Sequence, residues 1–243
     1  MYTDADAAAL YDLTNPWDPE HYPSDRFYQR LVLDAPSVLD VGCGTGAMLH
    51  LARVQGHTGR LAGIDPDRAA LERARRRTDV DWVEGTAAQA RWVAEFELAT
   101  MTSHAFQFLV TDDEVGASLA AISSALVPGG RFAFETRHPR ARAWEEWNPA
   151  NASDLVDAAG RHLRTWYEVE SVTGDVVTFT GTTAARDGAV LRVDRASLRF
   201  LDEVRLDAFL AAAGFVVEAR FGDWRGGPVT DDSREIVTIA RRA

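Results

Sequence analysis

The chain has 243 residues and a single cysteine, Cys43. That excludes an intramolecular disulfide and any zinc site built from several cysteines. The six histidines show no H-E-x-x-H or other paired ligand spacing, so metal-independent chemistry is expected. No apolar run approaches the 18 or more residues of a membrane span, and the acidic N-terminus lacks the apolar core of a signal peptide. A cytoplasmic location with no membrane partner is the expectation. Basic charge is also scarce: 26 Lys and Arg against 37 Asp and Glu leave a formal net charge of -11. Nucleic-acid binders need a basic footprint, because phosphate neutralisation supplies most of their affinity. The only dense basic run, Arg73 to Arg77, reads as the solvated last turn of a helix, where cations oppose the dipole. Nucleic acid is therefore an unfavoured partner and a small molecule a favoured one.

A 46% hydrophobic content is enough for one sizeable core, with or without an appended lobe. The densest information lies in Ser37–Gly46, Ser-Val-Leu-Asp-Val-Gly-Cys-Gly-Thr-Gly. Val38, Leu39 and Val41 make the short apolar run of a buried parallel strand. Gly42, Gly44 and Gly46 then follow at two-residue spacing, a loop whose backbone N–H groups can approach a ligand closely. Ala47 to Val54 read as the following helix, with positive dipole character at its start. The G-x-G-x-G spacing is one residue shorter than the dinucleotide fingerprint G-x-G-x-x-G, which disfavours a nicotinamide dehydrogenase. Arg60 to Asp65 read as a second strand ending in a carboxylate, and Pro66-Asp67 as the start of the next helix. An acid at that place can accept hydrogen bonds from both ribose hydroxyls.

Further along, Val80 to Ala87 contain a third strand running into Gly85-Thr86-Ala87, and Glu97 to Met101 form a fourth, followed by Thr102-Ser103-His104-Ala105-Phe106. Leu126 to Glu135, LVPGGRFAFE, read as a helix end, a turn and a fifth strand. Taken in order, VLDVGCGTG, Asp65, Gly85-Thr86-Ala87, the strand-four segment and LVPGGRFAFE resemble the class I S-adenosylmethionine-dependent methyltransferases across roughly residues 38 to 138. The resemblance implies a Rossmann-like α/β fold, a seven-stranded doubly wound sheet. It also implies S-adenosylmethionine as cofactor, with S-adenosylhomocysteine as product. It places cofactor contacts at Asp40, Gly42, Gly44, Gly46, Asp65, Pro66, Gly85, Thr86, Ala87, Met101 and Thr102. Thr86 stands where the family commonly has aspartate, so the Ala87 N–H is left as the donor to adenine.

Residues 1–36 precede the first core strand and carry Tyr11, Trp17, Tyr22, Phe27 and Tyr28 among Pro16, Pro19 and Pro23. This is a broken, aromatic-rich segment rather than one long helix. In the related small-molecule methyltransferases such a segment covers the cofactor and acceptor, which makes Tyr11 a candidate cofactor contact and Trp17 a candidate acceptor contact. Plain packing onto the core is the other reading. Arg26 or Arg30 are candidates for the cofactor carboxylate, or simply exposed helix arginines. From about 163 to 200 three alternating segments rich in Thr, Val, Trp, Tyr and Phe read as an antiparallel meander inserted after strand five. The expected division is therefore a cap at 1–36, a core at 37–140 and 201–243, and an inserted antiparallel β lid at 141–200. The insertion resembles that of glycine N-methyltransferase-like and aminosugar N,N-dimethyltransferase-like enzymes; a dimerisation surface is the alternative use, and both monomer and homodimer stay open.

Where the acceptor must lose a proton, the chemistry asks for a base tunable to neutral pH, for which His is best suited; an amine acceptor that arrives neutral needs none. His104, after strand four, and His138, after strand five, are the candidate catalytic residues, with Gln107 a candidate acceptor contact. Where the family pattern reads roughly Asn-x-Phe-x-His, this chain has His104-Ala105-Phe106-Gln107-Phe108. Adjacent Asp112 and Asp113 read as a helix cap, not as a metal cluster. The expected function is methyl transfer to an N or O of a small-molecule metabolite. A catalytically silent S-adenosylmethionine- or S-adenosylhomocysteine-binding protein is the alternative.

Overall fold

In the computed structural model, which describes residues 2–243, two helices precede the first strand. Helix α1 (Asp4–Thr14) is started by a reciprocal cap, Thr3 accepting the Asp6 N–H while the Asp6 carboxylate accepts that of Thr3. Helix α2 (Pro23–Asp34) starts on a proline, whose fixed φ suits the first turn. Strands and helices then alternate: β1 (Ser37–Val41), α3 (Ala47–Val54), β2 (Arg60–Asp65), α4 (Arg68–Ala74), β3 (Asp81–Glu84), β4 (Phe96–Met101), α5 (Asp112–Ala125) and β5 (Leu126–Arg137). Four antiparallel strands follow: β6 (Ser153–Val156), β7 (His162–Thr173), β8 (Val176–Ala185) and β9 (Val190–Arg199). The chain returns through α6 (Glu203–Ala212), β10 (Phe215–Phe221) and β11 (Glu235–Arg242).

The main sheet has seven strands in the order β10-β11-β5-β4-β1-β2-β3. Strands β1 to β5 are parallel, and β11 and β10 complete the sheet in antiparallel pairs. Because β1 neighbours both β2 and β4, the strand order reverses there, and such a switch point leaves a ligand crevice at the carboxyl ends of the strands. Both faces of the sheet are covered. On one, Tyr28 and Val32 of α2 and Met48, Leu49 and Ala52 of α3 pack on Val38, Leu61 and Leu98. On the other, α5 and α6 bring Val115, Leu119, Ile122, Leu206 and Leu210 against Leu39, Val41, Ile64, Phe132 and Phe134. Phe106, just beyond β4, stacks on Phe134 and Phe134 on Phe132, with ring centroids 4.5 and 4.7 Å apart. This stack fixes the loop that follows β4 onto β5.

The antiparallel strands form a separate four-stranded sheet, β6-β7-β8-β9. The sequence pattern shows three of its strands; the short β6 lies ahead of them. Trp144 and Trp147 pack on Val177, Phe179, Leu198 and Phe200 to give this sheet its own small apolar cluster. Its last strand is tied to the main core by Arg199, whose guanidinium pairs with Asp112 at the start of α5 (2.5 Å) and with Asp175 (2.9 Å).

Two helix starts differ from the sequence expectation. Helix α4 begins at Arg68 rather than at Pro66-Asp67, because Asp67 serves as the N-cap and accepts the N–H groups of Ala69 and Ala70. Helix α5 is capped by Thr111, not by Asp112 or Asp113. The Thr111 hydroxyl accepts the Glu114 N–H, and the Glu114 carboxylate accepts the Thr111 N–H. Replacing an N-cap threonine costs about 1 kcal/mol. Thr111→Ala is thus expected to lower the urea midpoint clearly, and Asp113→Ala to lower it only a few tenths as much in free energy.

Candidate functional site

The crevice at the switch point is built by the β1–α3 turn. Gly42, Gly44 and Gly46 all adopt positive φ (72°, 52° and 77°), the left-handed region that side chains disfavour. They differ in surroundings. A Cβ at Gly42 would meet that of Ala105 at 3.0 Å, and one at Gly46 would run into the Trp82 ring at 2.5 Å, whereas beside Gly44 nothing lies within 4 Å. The first and last glycines therefore admit close packing, while the middle one borders open space. Asp65, at the end of β2, accepts the Gly44 N–H (2.7 Å) and the Asp67 N–H (2.7 Å) and so clamps the loop to the second strand. Each carboxylate oxygen keeps lone-pair capacity beyond these single bonds.

Tyr11, Trp17, Asp40, Gly42, Gly44 and Thr102 all line the cleft beside this loop. Asp40 is fully buried and accepts one hydrogen bond, from the Thr100 hydroxyl at 2.9 Å. Burial pushes its pKa up to about 7, with the neighbouring charge of Asp65 adding to the rise. Burial likewise raises the Asp65 pKa, against the two N–H groups that favour its charge. A cleft with two desolvated carboxylates and an open glycine suits a cationic nucleoside with free ribose hydroxyls.

The other expected contacts distribute unevenly. Gly85 and Thr86 end the β3 turn, where the Thr86 hydroxyl donates to Gln89 (3.2 Å). Ala87 opens the one-turn helix Ala87–Gln89, a first-turn position whose N–H has no partner within the helix. Met101 is buried in the apolar core, and Pro66 is exposed. Trp17 donates its indole N–H to Gln29 (2.9 Å) while bordering the cleft. Tyr11 is 46% exposed overall. Its hydroxyl end is nevertheless enclosed, and this desolvation raises the phenol pKa despite a hydrogen bond with Ser103. Arg26 is spent on the carbonyls of Pro19 and Glu20. The clasp on α1 is instead Asp12, which accepts the Thr45 hydroxyl of the glycine loop and pairs with Arg73 of α4 at 2.6 Å.

Beyond β4 the two histidines part company. His138 is 6% exposed and caps the turn Pro139–Ala141, its Nδ1 accepting the Arg140 N–H at 3.1 Å. His104 sits among charges. Ser103 and His104 both have positive φ (56° and 61°), uncommon for side-chain-bearing residues and found preferentially at functional sites. The His104 N–H donates to Glu135 (2.8 Å), and its Nε2 meets Glu235 at 2.9 Å. Glu135, buried at the end of β5, also accepts the Tyr28 hydroxyl. Burial raises both the Glu135 carboxyl and the Tyr28 phenol. Gln107 is 1% exposed; its carbonyl accepts from Arg137 Nη1 (3.1 Å) and its amide donates to the Arg199 carbonyl (3.0 Å). The guanidinium of Arg137 lies over Trp147, 5.6 Å from the ring centroid.

Sequence reasoning missed Glu135, Arg137 and Glu235. The first two had a signal, since charged residues close a strand whose inner positions are apolar. Glu235 had none; strand register brings it opposite Arg137.

Comparison with known proteins bears on this geometry. Residues 38–130 match a family described as a methyltransferase domain. The chain carries a class I S-adenosylmethionine-dependent methyltransferase domain. Across 225 residues, 86% of this chain and 84% of the relative, it is 28% identical to a cypemycin N-terminal methyltransferase from Streptomyces sp. It is 32% identical to dTDP-3-amino-3,4,6-trideoxy-alpha-D-glucopyranose N,N-dimethyltransferase from Streptomyces venezuelae over 42% of this chain and 43% of that one. Among solved structures, an amino pentose methyltransferase from Micromonospora echinaspora, with S-adenosylmethionine bound, superposes at a TM-score of 0.70 and 25% identity over 100% of this chain and 98% of that one. No helix among the described residues is long and apolar enough to cross a membrane, and none of their His, Cys, Asp and Glu side chains group in threes to hold a metal ion.

The Asp40 pKa gives this methyltransferase a pH signature. An aspartate titrates near 3.9 when unfolded and here near 7 when folded. Between those values the folded cofactor-free chain binds the extra proton, so Asp40 lowers stability as pH rises from about 4 to about 7. Asp40→Asn removes that slope. Thermal unfolding without cofactor is expected to show the variant gaining on the wild type from pH 5 to about pH 7 and the difference levelling off above it.

Proposed function

We propose that this methyltransferase transfers the methyl group of S-adenosylmethionine to the amine nitrogen of a small molecule held between α1, the loop after β4 and the four-stranded sheet. The observation that carries the reading is adjacency: Thr102 and Ser103 line the cofactor cleft, and the next residue, His104, stands among Glu135 and Glu235. A cofactor in the cleft and a proton acceptor for its neighbour are thus consecutive in one loop. Three of the named relatives and neighbours support nitrogen over oxygen, being described as an N-terminal methyltransferase, an N,N-dimethyltransferase and an amino pentose methyltransferase.

The fitting residues have distinct parts. Asp65 would hold the ribose hydroxyls, the glycine loop would give close backbone approach, and the Ala87 N–H would meet adenine. Asp40, buried with the Thr100 hydroxyl as its donor, would ionise against the cofactor's cationic end. The bound cofactor supplies an electrophilic methyl on a sulfonium. What remains for the protein is alignment, and removal of one proton from an acceptor that arrives as an ammonium ion. His104 is the group proposed for that proton. The four-stranded sheet and α1, joined by Arg161–Asp6 (2.5 Å) and Arg192–Asp4 (2.6 Å), would close over the acceptor and exclude water.

Incubation with methyl-deuterated S-adenosylmethionine and a metabolite extract is expected to place label on the nitrogen of one small amine. Label on oxygen, or in protein or RNA, would refute the acceptor assignment. By calorimetry, Asp65→Ala is expected to weaken cofactor binding by about 10- to 100-fold, the loss of one or two charge-assisted hydrogen bonds. Unchanged affinity would remove Asp65 from the site.

A further inference from the structure

Glu235 opens β11, 131 positions along the chain from His104, yet its Oε2 lies 2.9 Å from His104 Nε2. The pair is partly withdrawn from water, each side chain being 20% exposed. We infer that Glu235 is a positioning residue for methyl transfer, holding His104 as the Nε2–H tautomer so that Nδ1 takes the proton from the acceptor. This rests on the reading of His104 as the acceptor's base.

The argument is one of donors and acceptors. An ionised carboxylate only accepts, so the hydrogen between the two groups belongs to Nε2. A neutral imidazole protonated on Nε2 keeps its lone pair on Nδ1, and among the described residues Nδ1 has no hydrogen-bond partner. When Nδ1 takes the proton, the ammonium N–H bond breaks, its electron pair stays on the amine nitrogen, and the imidazolium charge is shared with Glu235. An anion beside a histidine favours its charged form.

The rest of the neighbourhood keeps this geometry in place. The His104 backbone is in the left-handed region and is held there by its N–H bond to Glu135 of β5. Glu135 also accepts the Tyr28 hydroxyl from α2 and, buried beside the ring, acts on His104 through its field without touching an imidazole nitrogen. Arg137, on β5 and opposite Glu235 in register, acts on Glu235 through its field, with its own Nη1 bonded to Gln107. Among the described residues, Glu235 is the one charged group that touches an imidazole nitrogen of His104.

The test uses the full chain labelled with 15N-histidine and compares wild type with Glu235→Gln, Glu235→Asp and His104→Asn. Asparagine tolerates left-handed backbone well, so the last variant removes the base with little strain. Ring NMR is expected to show His104 as the Nε2–H tautomer in wild type and in Glu235→Asp, with the Nδ1–H tautomer appearing in Glu235→Gln. With the amine found by deuterium transfer, kcat/KM should fall about tenfold in Glu235→Gln and less in Glu235→Asp, with KM for S-adenosylmethionine unchanged. His104→Asn should lose about 100-fold or more. An unchanged His104 tautomer in Glu235→Gln, or turnover by that variant equal to wild type, would overturn the inference. Full turnover by His104→Asn would refute the base while leaving cofactor binding through Asp65 intact. If no amine is labelled at all, the proposed acceptor class fails, and the NMR comparison still decides whether Glu235 sets the ring.

Discussion

The acceptor side of the molecule hangs on a carboxylate buried at the end of β5. Glu135 accepts the hydroxyl of Tyr28 from α2 and the N–H of His104 from the loop after β4. It therefore joins the N-terminal segment, the loop after β4 and the central sheet through one side chain. A buried carboxylate is tolerated only when its oxygens are supplied with donors, and both donors here come from elements that must converge for a site to exist. The left-handed backbone at Ser103 and His104 then follows, because it turns the His104 N–H onto Glu135. With that N–H fixed, the imidazole reaches Glu235, and through Gln107, three residues on, the same loop reaches Arg137 and the strand β9 carbonyl of Arg199.

The cofactor side depends on a different and more local device. Asp65 clamps the Gly44 N–H, Asp12 engages Thr45, and the flanking glycines sit where Ala105 and Trp82 leave no room for a Cβ. The Asp65 clamp joins residues 21 apart, and the loop's positive φ values demand glycine. Such a device leaves a compact trace in the chain. The buried acid Asp40 is the other half, a group whose pKa burial and the neighbouring charge of Asp65 push up to about 7.

That difference in locality explains what could be read from the sequence. The α/β order, the seven strands, the inserted antiparallel strands and the Gly42–Gly46 loop with Asp65 are carried by short apolar runs and glycine spacing, signals a few residues long. Helix starts at Arg68 and Asp112 were displaced because several acids compete there, and only geometry decides which of them, or which threonine, meets the N–H groups. Gln107 was legible as a polar residue near the site, but its 1% exposure and its bonds to Arg137 and Arg199 make it a strut between sheets. His138 likewise became a turn cap. Glu135 lay in the motif LVPGGRFAFE without being assigned, and Glu235 was invisible because a register between β5 and β11 has no sequence signature.

How the two sides meet is an argument about α1. Only Ala8 and Leu10 of this helix are buried, so little apolar area holds it. Its other ties are the Thr45 hydroxyl bond to Asp12 and three ion pairs, Asp4 to Arg192 and Asp6 to Arg161 of the four-stranded sheet and its turns, and Asp12 to Arg73 on α4. Exposed ion pairs contribute little in water and are screened by salt. The helix that carries Tyr11 over the cleft is thus the least anchored part of the site, set between a rigid glycine loop and a sheet fixed by Arg199. A cofactor enclosed by side chains must enter and leave past some element, and the element with the weakest apolar anchorage opens at the lowest cost. Since the same helix bonds to the inserted sheet, the proposed cover on the acceptor would loosen with it, and cofactor exchange and acceptor access would then share one mechanical joint.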